Sequence, residues 1–134
     1  MNEKTKVFMQ KQRVDIYNHL KSFGLAVYED VITQDQEGQL LNADNYNFFI
    51  VAYGDFQSTE SKKRLIQTIA VDYYSENRDD VDAMTIDIIS KVQSVAQVEF
   101  DGSRKDSLRV KDTDRFVDRV TILFKRGVPI ECKV

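Results

Sequence analysis

The side chains able to act as acids, bases, nucleophiles or metal ligands are few in this sequence, and their spacing is poor for chemistry. His19 is the only histidine and Cys132 the only cysteine among 134 residues. A thiol and its base must lie within hydrogen-bond reach of each other, and these two stand at opposite ends of the chain with nothing to align them. A zinc site takes about four Cys, His or acidic ligands, so one imidazole and one thiol are too few. Asp35, Glu37 and Gly38 faintly follow a calcium-loop pattern. Its third position, however, is Glu rather than Asp or Asn, and Tyr46 stands where the closing Glu belongs. Glu76, Asp79, Asp80 and Asp82 form an acidic cluster, but negative charge in the first turn of a helix complements the helix dipole without any metal. Neither a phosphate loop ending in Gly-Lys-Ser/Thr nor a G-x-S-x-G elbow is present. The expectation is a protein that is not an enzyme and that needs no cofactor and no metal.

The remaining candidates are apolar residues hidden in two polar segments, 33–45 and 101–115. Leu40 and Leu41 lie in the first, Leu108 and Val110 in the second. Structureless connections of such length are uncommon in small domains and are often functional. A polar loop with a few apolar anchors is suited to becoming ordered on a partner. These four residues are therefore the expected protein-interface anchors. The competing reading is an ordinary loop whose leucines fold back onto the core.

Those segments interrupt well-patterned elements. Met9, Ile16, Leu20 and Phe23 form one stripe of a helix over 5–23, and Gly24 suits a left-handed C-terminal cap. A strand follows over 25–32 (LAVYEDVI). Residues 46–56 (YNFFIVAYGDF) form the strongest strand signal, apolar on both alternating sets and therefore expected to be covered on both faces. A short connection leads to a strand over 64–74, with Leu65, Ile69, Val71 and Tyr73 facing one way. The two adjacent strands predict an antiparallel hairpin. Val81, Met84, Ile88, Ile89, Val92 and Val95 define a second amphipathic helix. Residues 97–100 and a final strand over 116–125 complete the order. In that last strand Phe116, Val120, Ile122 and Phe124 are expected inward, and Val117, Arg119, Thr121, Leu123 and Lys125 outward. The fold class is α+β, order α-β-β-β-α-β-β, with one antiparallel sheet packed against two helices. Phe48, Phe49, Tyr53, Phe56, Tyr73 and Phe124 fall at core spacing, which argues for packing rather than a base-stacking surface.

Composition narrows the classes further. The length suits one domain spanning 1–134. Hydrophobic residues at 42% and charged residues at 31% describe an ordinary globular protein. A net charge of −3 argues against a nucleic-acid binder held by bulk electrostatics. No apolar run reaches the roughly 20 residues that cross a bilayer, and the first residues lack a secretory signal's apolar core. A soluble protein that begins in the cytosol is expected, with no membrane partner.

Four stretches then carry a resemblance across essentially the whole chain. FMQKQRVDIYNHLKSFGLAVYEDV opens the sequence, YNFFIVAYGDF and RLIQTIAVDYYSENRDDVDAMTIDIISKV fill its centre, and DRFVDRVTILFKRGVPIECKV closes it. Together they resemble the tail-to-head joining proteins of long-tailed Bacillus phages, within the wider tail completion or tail terminator group. The resemblance implies an α+β subunit, monomeric in solution, that assembles as a six-fold ring on the finished tail tube. Its implied partners are the tail tube protein, the head-completion or connector protein and further copies of itself. Genome DNA would pass through without sequence-specific binding, and the implied location is the virion's head-tail interface after assembly in the host cytoplasm. The alternative is a small cytosolic adaptor or regulatory protein-binding module, with a hydrolase using Cys132 or an acid cluster well behind.

Overall fold

The computed structural model describes residues 2–29, 47–109 and 115–130. Helix α1 (Glu3–Lys21) leads into strand β1 (Ala26–Glu29), followed by β2 (Phe48–Ser58), β3 (Arg64–Ser75), helix α2 (Val81–Gln93), β4 (Val98–Arg109) and β5 (Phe116–Pro129). The element order is the α-β-β-β-α-β-β expected from hydrophobic periodicity. The five strands form one sheet in the order β1-β2-β3-β5-β4.

Ile16 and Leu20 of the predicted α1 stripe are fully buried, while Met9 is only half-buried. The helix stops where Gly24 adopts φ +82°, a left-handed conformation that costs a glycine little. In α2, Val81, Met84, Ile88 and Val92 are buried at helical spacing. Asp79, Asp80 and Asp82 crowd its N-terminal end, where the partial positive charge favours them. The two helices lie side by side on one face of the sheet. α1 packs over β1 and β5, and α2 over β4 and β5. Between them and the sheet sits the main core, with Phe49, Ile69, Val71, Tyr73, Ile88, Ile122 and Phe124 all essentially without solvent contact. Phe49 and Tyr73 pack with ring centroids 5.3 Å apart across the β2–β3 pair.

The β2–β3 hairpin is antiparallel, with Phe49 opposite Tyr73 and Val51 opposite Val71. The sheet as a whole is mixed, because β1 joins β2 in parallel, Ala26 opposite Phe48 and Glu29 opposite Val51. A parallel neighbour cannot be joined by a tight turn, which is why so many residues separate Glu29 from Phe48 in sequence.

Three further expectations change. Residues 101–109 belong to β4 rather than to a loop. Among the described residues β4 is an edge strand paired only with β5, so it needs no apolar alternation, and Arg104, Lys105 and Asp106 are the kind of charges that blunt sheet edges. In β5 the two first apolar residues exchange roles, since Phe116 is 61% exposed and Val117 only 2%. Phe116 stands opposite Arg109, at the strand's start, whereas Val117 finds apolar neighbours on the opposite face. Phe56 is 47% exposed rather than packed in the core, although the register shift between Tyr53 and Phe56 sets it opposite the buried Gln67.

Candidate interaction surface

The face of the sheet away from the helices carries a second, smaller apolar group. Phe48 and Val117 are its buried members, with Ile50 and Tyr74 packed around them. Strand alternation dictates this, because Phe48 and Ile50 point opposite to Phe49 and Val51. The aromatic rings form a row across three strands. Tyr28 of β1 meets Phe48 edge-on at 5.9 Å, and Phe48 stacks on Tyr74 of β3 at 4.7 Å. Expected coverage of β2 on both faces therefore holds at its start.

Leu108 extends this row to the sheet's edge. It pairs in register with Val117 and is half-buried. Of the four anchors expected from sequence, Leu108 is the one the structure describes; Leu40, Leu41 and Val110 lie outside the described residues. Beside the apolar row runs a polar one. Thr121 donates to Asp72 at 2.6 Å, Arg119 donates to Asp106 at 3.1 Å, and Arg104 lies 3.6 Å from Asp106. Its hydrogen bond to Asp106, then that to Tyr74, holds the Arg119 guanidinium above its ordinary pKa.

The same end of the sheet is clamped by an ion pair. Arg115 Nε and Nη2 donate to the two Glu76 oxygens at 2.8 and 2.6 Å, and Glu76 is only 6% exposed. Bidentate pairing of this kind is directional as well as strong. It ties the start of β5 to the residue that follows β3.

Two stretches of sheet edge have no strand partner among the described residues. β4 pairs only with β5 along its length, and β2 has β1 beside it only as far as Val51. On the helical side, the outer face of α1 presents Val7 and Val14, 70% and 44% exposed, beside Lys6 and Lys11.

The residues weighed for catalysis are not brought together. His19 lies 3.5 Å from Ser94 Oγ, while Cys132 is outside the described residues, as are Asp35, Glu37 and Gly38. The acidic cluster is dispersed among cations. Glu76 pairs with Arg115, Asp80 with Arg78 at 2.7 Å, and Asp82 with Lys105 at 3.3 Å. The Arg78 hydrogen bond holds the Asp80 carboxyl below its usual range. Among the described residues no group of three or more His, Cys, Asp or Glu is placed to hold a metal ion, and no helix is long and apolar enough to cross a membrane.

Sequence reasoning missed a buried polar group between α1 and the sheet. Gln12, Gln67 and Arg126 are 2%, 6% and 2% exposed. Amide and guanidinium side chains ordinarily mark surface positions, so no pattern in the sequence singles these out.

No family model matches the sequence, and no curated protein does. Among solved structures, the chain is similar to one from the virion of a native gene transfer agent particle. The TM-score is 0.43 and the identity 14%, covering 87% of this chain and 92% of that one.

Proposed function

We propose that this chain is a structural virion protein that caps the finished phage tail tube as a ring and joins the tail to the connector of the DNA-filled head. The observation that carries this reading is the aromatic row on the sheet face opposite α1 and α2, which runs from Tyr28 through Phe48 and Tyr74 and reaches the edge strand β4 at Leu108. Among the described residues, a sheet with its helices on one side, apolar residues on the other and edge strands without partners offers area for neighbouring chains. The sequence resemblance to tail-to-head joining proteins supplies the identity of those neighbours. They are further copies of this chain in a ring of six, the tail tube below and the connector above. In this reading Leu40, Leu41, Leu108 and Val110 are the anchors, DNA passes through the ring without being read, and no catalytic step is involved.

In vitro joining tests the proposal. Heads and tails prepared from phage lacking this protein remain separate, and adding the purified chain restores infectious particles. Particles that join equally well without it contradict the proposal.

A further inference from the structure

Asp101-Gly102 is the one step in the chain where an aspartate or asparagine precedes a glycine. The main-chain nitrogen that follows an aspartate can attack the side-chain carboxyl carbon and close a five-membered ring. A side chain on the following residue hinders that approach, and glycine has none. Chain neighbours apart, nothing lies within 4 Å of the place a Cβ on Gly102 would occupy.

Ring closure also requires rotation about the bonds of the aspartate, which a strand ladder resists. Asp106, followed by the small Ser107, is held in this way. Both pair in register with β5, opposite Arg119 and Asp118, and the Asp106 carboxylate accepts a hydrogen bond from Arg119 at 3.1 Å. Asp101 is placed differently. Phe100 pairs with Phe124 and Gly102 with Leu123, so the ladder steps over Asp101 and leaves it as the extra residue of a β-bulge. Gly102 takes φ +152°, which a residue with a side chain adopts only under strain. Asp101 is exposed, so water reaches it. Lys125 Nζ, 3.4 Å from Oδ1, tethers the carboxylate. Both side chains are more than a third exposed, which makes the tether a weak one.

We propose that Asp101 is a spontaneous modification site, at which the folded protein converts aspartate to isoaspartate through a succinimide. The Gly102 nitrogen bonds to Asp101 Cγ, and the protonated carboxyl loses its hydroxyl, which leaves as water with the amide proton. Water then opens the ring at either carbonyl. Attack at Cγ restores aspartate. Attack at the main-chain carbonyl carbon leaves the chain running through Cβ and Cγ, so β4 gains one main-chain atom. No oxidant or cofactor enters the balance. The added atom precedes Ser103–Arg109, the part of β4 that carries Leu108. The inference stands apart from the tail-capping reading, because its test involves neither heads nor tails.

Mass spectrometry after incubation in heavy-oxygen water reads the reaction, since each ring opening fixes one oxygen from solvent. The folded, full-length protein is held in warm, mildly acidic buffer made with that water, then digested with trypsin in ordinary water. The expected result is heavy oxygen in the peptide Val92–Arg104, together with an isoaspartyl form of it that separates on chromatography. The neighbouring peptide Asp106–Arg109 should stay unlabelled. Asp101→Glu keeps the charge but would need a six-membered ring, and should lose both signals. Lys125→Gln removes the tether and should raise the rate severalfold. A Val92–Arg104 peptide that stays unlabelled in the folded protein, while the urea-unfolded chain acquires label, overturns the proposal. Equal labelling in Asp101→Glu overturns the assignment to Asp101. Labelling of Asp106–Arg109 at the same rate overturns the role of the bulge, and an unchanged rate in Lys125→Gln that of the tether.

Discussion

Replacing Leu108 by Ser separates an interface anchor from a core residue. Fully burying a leucine side chain contributes about 1.5–3 kcal/mol. Leu108 is half-buried on an edge strand, opposite the buried Val117. Its truncation should therefore cost the isolated chain about 1 kcal/mol, a fall in melting temperature of about 3–6 °C for a domain of this size. If a neighbouring chain covers it, the loss in assembly is larger. An apolar anchor contributing about 2 kcal/mol to an interface weakens association about 30-fold on removal. Denaturant titration and a tail-joining assay on the same variant read the two quantities separately. A stability loss of about 2–5 kcal/mol, the range for a truncated core leucine, would place Leu108 in the core. Normal joining by a variant of near wild-type stability would remove it from the interface, and with it the argument from the aromatic row.

Three other outcomes follow from the geometry. Ile88→Ala, at a position with 0% exposure between α2 and the sheet, should cost about 2–5 kcal/mol by denaturant unfolding. Gly102→Ala should cost about 1–3 kcal/mol in the same measurement, because Gly102 has φ +152°, where L residues are strained, although the space around its Cβ is open. Asp80→Asn should flatten part of the acid limb of the stability profile. A folded-state pKa held below the unfolded one gives stability that is present above the unfolded value and lost as pH falls through the folded value. The effect is small because the group is exposed, and identical acid limbs for variant and wild type would show the Arg78 pair to be idle.

Helices and inner strands were legible because their burial is periodic. The stripe from Val81 to Val92 and the alternation of Ile69, Val71 and Tyr73 each report one covered face. Where burial is not periodic, the sequence misled. β4 is an edge strand, mostly exposed on both faces, so DGSRKDSLR looks like a loop although it pairs with β5 throughout. Val117 and Phe116 depend on which ends of the two faces have neighbours, and alternation within one strand does not contain that. The parallel pairing of β1 was equally hidden, since strand direction depends on the path of the connection. Of the candidate site, Leu108 has the sequence signature of a loop anchor but stands on strand β4, on the sheet face opposite α1 and α2. Arg126 escaped because a buried guanidinium has the same sequence signature as a solvated one.

Electron microscopy of isolated tail tubes mixed with the purified protein tests the central claim most directly. The account predicts added density at one end of each tube, with six-fold symmetry in end-on averages, and free protein that elutes as a monomer. Bare tube ends at saturating protein, or protein bound along the tube walls without preference for an end, would contradict it.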